Sequence, residues 1–285
     1  MKVAVVGVGA MGKAMAGHIV AAGYEVFTHD VDPGRLRQSA EVGATPVDTL
    51  ARLAAEAQLF IVVVVSDDQS RAVTRGLIEA GAAPGSLIAV AATNHPETMR
   101  ELGRDCDRRE VGFIDAPVVF GLAGAVEGSL GTLCGGSEEH VERARPVLAT
   151  YSRFVRHVGP LGAGQLAKTC NNMLHWAACC ANYEVLLLAK RHGIDAQHMR
   201  EILLECPGSN VTLERWDTTR FTWHEKDMDV ALDLSQAAGL ALPLFGQVDQ
   251  LVKTLGPDKV KALLYGPEAE YLGQTVRPIS VGTEK

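Results

Sequence analysis

The chain has 285 residues, of which 47% are hydrophobic and 21% charged, and its formal net charge is −7. That length accommodates two domains and a large buried core, so no disulfide or metal staple is needed for stability. With no run of Lys and Arg, the negative balance argues against a nucleic acid or an anionic membrane as partner.

The first half alternates strand-like and helix-like segments. Lys2–Val6 reads as a buried strand, Met11–Ala22 as a helix stopped by Gly23, and Glu25–His29 as a second strand. Asp32–Val42 reads as a helix opened by Pro33, whose fixed φ suits a first turn. Leu59–Val65 is an uninterrupted apolar run rich in β-branched residues, the mark of a central parallel strand covered on both faces. Leu87–Val90, Gly112–Asp115 and Thr132–Cys134 continue the strand pattern, with helical stretches Pro96–Arg109 and Glu138–Ala149 between them. Such alternation predicts a doubly wound α/β domain.

After Gly164 the texture changes. Gln165–His192 contains neither Gly nor Pro and is rich in Ala, Leu and Met, so one long helix is expected, stopped by Gly193. From Asp195 onward the reading is mostly helical, punctuated by Pro207-Gly208, Pro243 and Gly256-Pro257. A polar, frayed tail is expected from about Val276. The expected division is therefore 1–163 as a nucleotide-binding domain and 164–285 as an all-helical domain for substrate and dimerisation. The long helix, about 165–192, connects them.

The six cysteines form no CxxC pair and share no ligand spacing with His. They point to buried thiols in a reducing cytoplasm, with no metal site. A first strand opening at Lys2 leads to the expectation of no signal peptide, and Leu59–Val65 is too short to span a bilayer. A cytoplasmic protein without membrane contact is expected.

Gly7-Val8-Gly9-Ala10-Met11-Gly12 directly follows the first strand and opens the first helix. In such a loop Gly7 permits the tight turn, Gly9 admits a pyrophosphate to the backbone, and Gly12 allows close helix–strand packing. The free N–H groups of the helix N-terminus, including those at Ala10 and Met11, then face the phosphates. Asp30 ends the second strand. A carboxylate there accepts the adenosine ribose hydroxyls and repels a 2′-phosphate, so NAD is favoured over NADP. A helix-capping role is the bland alternative for Asp30. Arg35 and Arg37 are expected on the solvated face of the following helix.

With these motifs in place the chain resembles the β-hydroxyacid dehydrogenases, the family of 3-hydroxyisobutyrate, tartronate semialdehyde and 6-phosphogluconate dehydrogenases. Four blocks carry the resemblance in order over nearly the whole length: Gly7–Gly12, then Asp115-Ala116-Pro117-Val118 with Gly121, Gly124-Ala125 and Gly128, then Gly162-Ala163-Gly164 with Lys168 and Asn172, and finally Lys226-Asp227. The resemblance implies a Rossmann domain, a long connecting helix and a helical domain, usually in a homodimer or homotetramer. It implies oxidation of a hydroxyl without a metal. It also implies that Thr93 contacts the nicotinamide side of the cofactor, that the loop at 119–121 binds substrate, and that Lys226 faces cofactor and substrate.

The residues themselves suit that chemistry. Lys168 and Asn172, four apart on the expected long helix, project from one face. An amine can take the hydroxyl proton as hydride leaves the same carbon, if its pKa is lowered by burial or a neighbouring cation. Asn172 offers a donor and an acceptor to hold the substrate oxygen. Lys226 can hold a carboxylate or the cofactor amide as a fixed charge. His175 and His192 show no ligand spacing and are read as structural. Where relatives usually carry Ser-Gly-Gly, this chain has Val119-Phe120-Gly121. A hydroxyl donor is lost and an aromatic ring gained, so a more apolar pocket and a bulkier or less charged substrate are expected.

The expected function is thus oxidation of a small hydroxy acid or alcohol with NAD, Lys168 being the acid/base. Two other readings compete: an imine, semialdehyde or ketone reductase on the same scaffold, and a non-catalytic NAD-binding module. No tyrosine has a lysine four residues on, which excludes the short-chain dehydrogenase pattern.

Overall fold

A computed structural model describes residues 1–279. The chain divides into two compact units, Met1–Lys168 and Thr169–Lys285.

The first unit contains β1 (Val3–Val6), α1 (Ala10–Ala21), β2 (Val26–His29), α2 (Pro33–Gln38), β3 (Thr45–Pro46), α3 (Leu50–Glu56) and β4 (Leu59–Val62). It continues through α4 (Asp67–Glu79), β5 (Leu87–Val90), α5 (Pro96–Asp107), β6 (Gly112–Asp115) and β7 (Val118–Val119). Next come α6 (Gly121–Glu127), β8 (Leu130–Gly135), α7 (Glu138–Leu148) and β9 (Ser152–Gly159). Helix α8 (Ala163–Arg191) begins in this unit and runs on into the second.

Every residue of β1, β4, β5 and β6 is buried, as apolar strands covered on both faces must be. Alternate side chains build two cores. Val3, Val5, Leu59 and Ile61 pack with Met15 and Ile19 of α1 and Val141 of α7. Ala4, Val6, Phe60 and Ile88 pack on the other face with Leu53, Leu77, Met99 and Leu102. The strands run parallel in the order β3-β2-β1-β4-β5-β6. The order reverses between β1 and β4, and ligands of such sheets bind beyond the carboxyl ends at that switch. Beyond β6 the sheet turns mixed: β8 pairs antiparallel with β6 and β7, and parallel with β9.

Three departures from the expected elements have local causes. Strand β4 stops at Val62, because Val63 turns its carbonyl towards Gly7. The second helix gives way to a 3₁₀ turn at Ser39–Val42. There the Ser39 hydroxyl donates to Leu36 O at 2.6 Å and pairs with Thr28 Oγ1 at 2.6 Å, the kind of competition with the backbone that ends helices. The short strands β3 and β7 and the long β9 carry too little apolar periodicity to be read beforehand.

In the second unit α8 continues from Thr169, followed by α9 (Ala196–Leu204), α10 (Val211–Glu214), α11 (His224–Ala237), α12 (Pro243–Val252) and α13 (Pro257–Tyr265). Their core holds Trp176, Tyr183, Leu186, Trp216, Met228, Val252 and Leu263. A hairpin, β10 (Ala269–Tyr271) with β11 (Gln274–Val276), is the one sheet element among this unit's described residues. The Lys190 amine is buried and donates to Leu263 O at 2.9 Å and Gly266 O at 2.6 Å, and burial lowers its pKa. Of the expected polar tail, residues 280–285 lie outside the described residues. No helix among the described residues is long and apolar enough to cross a membrane.

Candidate active site

The glycine loop behaves differently at each glycine. A methyl group at Gly7 (φ +89°) would collide with the Val63 carbonyl oxygen, and one at Gly12 with the Gly7 carbonyl oxygen. Both positions are closed by protein. At Gly9 the nearest atom to such a methyl is Arg35 Nη1, 4.0 Å away. That side of the loop is open. Gly9 also caps α1 with no side-chain bond to the first turn, which carries no acidic residue. Bare amides, a positive dipole end and a clear approach fit a pyrophosphate.

Asp30 stands directly after β2. Its Oδ2 accepts the Val8 amide at 2.8 Å and its Oδ1 the Asp32 amide at 2.8 Å. Capping of α2 falls instead to Asp32, which accepts from Gly34 and Arg35 amides at 2.7 and 3.1 Å. The capping alternative for Asp30 is thereby replaced by a second task, holding the glycine loop. Arg35 is exposed, as expected, with Nη1 at the edge of the opening at Gly9, 4.0 Å from the methyl position, and Nε 3.8 Å from Asp32 Oδ2. Val31 is fully open to solvent.

On the other side of the switch point a buried network organises the start of α8. Asp115, at the end of β6, has no exposed surface. Its Oδ1 accepts the Gly162 amide at 2.7 Å and its Oδ2 the Gln165 amide at 2.8 Å. Burial pushes this carboxyl above its usual pKa, and the amide donors oppose that rise. Methyl groups at Gly135 or Gly164 would strike the same carboxylate. The Gln165 carboxamide, also fully buried, donates to Ala92 O at 2.8 Å and accepts the Asn94 amide at 2.9 Å. Thr93, half-buried, lies between those two anchor points. Gln165 escaped the sequence reading. One acid ending an otherwise apolar strand was the available signal for its partner Asp115.

Lys168 is half-buried, three positions beyond Gln165 on α8, and Asn172 follows four positions later on the same helix. Asn172 is 7% exposed and its Oδ1 accepts from Asn171 Nδ2 at 3.1 Å. In the second unit, Lys226 and Asp227 lie half-buried in the first turn of α11. Asp227 Oδ2 accepts the Trp176 indole N–H at 3.0 Å, which ties that turn to α8. His175 pairs through Nδ1 with Thr212 Oγ1 at 2.9 Å and its ring meets Trp176 at a tilt, with centroids 4.6 Å apart.

In the 119–121 loop, Val119 is buried and pairs with Gly131 across β7 and β8. Phe120 takes a left-handed backbone (φ 81°), which a side chain rarely adopts. Its ring stands edge-on to Phe154 with centroids 6.3 Å apart, and the Arg153 guanidinium lies 3.7 Å from its centre. These contacts set the ring against the start of β9. At Gly121 (φ 61°) a methyl group would meet nothing within 4 Å, so the loop backbone is accessible there. Among the described residues no three His, Cys, Asp or Glu side chains converge as a metal site would require.

Residues 2–159 match the family described as the NAD binding domain of 6-phosphogluconate dehydrogenase. Residues 162–261 match that described as NAD-binding of NADP-dependent 3-hydroxyisobutyrate dehydrogenase. The NAD-dependent L-serine dehydrogenase of Pseudomonas aeruginosa is 33% identical over 219 residues, which are 75% of this chain and 72% of that one. The 3-hydroxyisobutyrate dehydrogenase of the same organism is 31% identical over 217 residues, 75% of this chain and 73% of that one. A solved structure of Mycobacterium tuberculosis 3-hydroxyisobutyrate dehydrogenase with L-serine gives a TM-score of 0.81 at 27% identity, covering 89% of this chain and 92% of that one.

Proposed function

The chain belongs to the β-hydroxyacid dehydrogenase family of NAD(P)-dependent oxidoreductases, and from that premise we propose that it oxidises a small 3-hydroxy acid with NAD, using Lys168 as acid/base. The observation that carries this reading is the placement of Lys168 on α8. It follows the Asp115-anchored turn, with Asn172 four positions on.

In this reading the amides around Gly9 hold the pyrophosphate, Asp30 receives the adenosine ribose hydroxyls, and Thr93 meets the nicotinamide side. The bound dinucleotide supplies the hydride acceptor. The neutral Lys168 amine takes the substrate hydroxyl proton while the carbinol C–H bond breaks, and the carboxamide of Asn172 holds the oxygen. The Lys226 ammonium pairs with the substrate carboxylate, and the backbone at Gly121 contributes amide donors. L-Serine and 3-hydroxyisobutyrate, in the names of the two relatives, share a carboxylate and a 3-hydroxyl and differ at carbon 2. Either skeleton satisfies these roles.

NAD is the preferred cofactor because a 2′-phosphate would meet the Asp30 carboxylate, with Val31 offering no compensating charge. The active form is a homo-oligomer. Leu174, Ala181, Val185 and Leu188 are exposed on α8 at spacings of seven, four and three, the repeat of a helix–helix seam.

NADH formation should be followed at 340 nm across a panel of 3-hydroxy acids, larger hydroxy acids and simple alcohols. Turnover of at least one 3-hydroxy acid, lowered by roughly 10² or more in Lys168→Ala, supports the reading. Tight NAD binding without turnover of any of them would indicate a non-catalytic module.

A further inference from the structure

We propose that Gln165 is a positioning residue that fixes the Thr93 loop against the helical turn carrying Lys168. The proposal rests on the reading of Lys168 as the acid/base and Thr93 as a nicotinamide contact.

The loop after β5 leaves the sheet once Ala91 has donated to Val62 O at 2.9 Å. The next buried backbone groups then require partners from elsewhere, since an unpaired one costs as much as a lost hydrogen bond. Gln165 supplies them on both sides of Thr93, to the Ala92 carbonyl at 2.8 Å and the Asn94 amide at 2.9 Å. A carboxamide offers the donor and acceptor together at neutral pH, where a carboxylate of the same length only accepts. The clasp is itself anchored. The Gln165 amide is held by Asp115, and the Asn94 Oδ1 accepts from the Ser70 hydroxyl at 2.9 Å. Gln165, Asn94, Asp115 and Ser70 have no exposed surface. Residues three apart on a helix are neighbours, so the side chain that clamps Thr93 sits beside Lys168. One residue thus sets the spacing between the acid/base and the cofactor loop. A misplacement of about 1 Å at a reacting centre costs roughly 10² in rate.

The test compares Gln165→Met, Gln165→Glu and Lys168→Ala, with NAD and whichever of L-serine or 3-hydroxyisobutyrate turns over faster. Gln165→Met keeps length but neither hydrogen bond. Its kcat should fall by roughly 10–100-fold, as expected for lost alignment, with KM for NAD within about threefold. The pH limb of kcat that Lys168→Ala abolishes should persist. Gln165→Glu keeps the acceptor and loses the donor when ionised, so its activity relative to wild type should recover as pH falls and the introduced carboxyl regains a proton. That recovery is open to measurement even if Gln165→Met does not fold. A kcat within twofold of wild type in Gln165→Met, beside a Lys168→Ala slowed by roughly 10² or more, overturns the proposal alone. So does a loss of activity in Gln165→Glu with no recovery at low pH. Normal turnover by Lys168→Ala overturns the acid/base reading and the proposal with it.

Discussion

Val8 donates its backbone N–H to Asp30 Oδ2 at 2.8 Å, so the carboxylate proposed to receive the ribose also braces the glycine loop. The two tasks are coupled through one side chain. Replacing Asp30 therefore changes cofactor choice and loop geometry together.

Asp30→Ala should raise KM for NAD by roughly tenfold or more, the equivalent of one hydrogen bond to a charged group. It should also narrow the preference over NADP by removing the repulsion of a 2′-phosphate. Asp30→Asn retains an acceptor for the Val8 amide and should preserve more of the NAD affinity than Ala while relaxing discrimination equally. Steady-state kinetics with both cofactors measure this. Wild-type efficiencies that are equal for NAD and NADP would refute the assignment.

Lys168→Ala should lower kcat by roughly 10²–10⁴, the contribution of a positioned acid/base. Its NAD affinity, measured by NADH fluorescence titration, should be close to wild type, because the phosphate loop and Asp30 lie elsewhere. Near-normal turnover on the best substrate would rule out the mechanism.

The Phe120 ring is occupied by Phe154 and Arg153, and this bears on specificity. Phe120→Gly relieves a left-handed backbone worth about 1–2 kcal/mol and forfeits an aromatic pair and a cation–π contact of about 0.5–1.5 kcal/mol each. Together with the apolar area that the half-buried ring covers, these losses outweigh the relief, so the melting temperature should fall by several degrees. The ratio of kcat/KM for 3-hydroxyisobutyrate to that for an aryl-substituted hydroxy acid should stay within about threefold, in Phe120→Gly and in the Val119→Ser, Phe120→Gly double variant. A shift beyond tenfold would show that the ring borders the substrate pocket.

The exposed stripe on α8 includes Leu174 at 68% and Leu188 at 62%. Burying such a side chain in an oligomer contributes about 1.5–3 kcal/mol, and introducing charge there opposes association. Leu174→Arg with Leu188→Arg should convert the protein to monomer in light scattering coupled to size exclusion. A monomeric wild type at micromolar concentration would refute the oligomer.

The β-branched runs at β1, β4 and β5, the Gly7–Gly12 loop and the long Gly-free stretch of α8 were legible without coordinates. Each is local: a period, a turn requirement or a missing breaker visible in a short window. For the same reason Lys168 and Asn172 could be placed on one helix face from their spacing alone. What stood outside that reach was every pairing between distant segments. Asp115 meets Gly162 across forty-seven positions and Gln165 meets Ala92 across seventy-three. Nothing in either window marks the partner. Likewise, Asp32 and not Asp30 caps α2, and the Phe120 ring turns to Phe154, because packing selects among several partners that local chemistry allows. Sequence by itself determined the central strands, the glycine loop, the long helix and the residue types available for hydride chemistry, since propensity and periodicity act over a few residues. Tertiary structure alone decided which buried polar groups satisfy one another, because that demand is met only when strands and helices remote in the chain close around them.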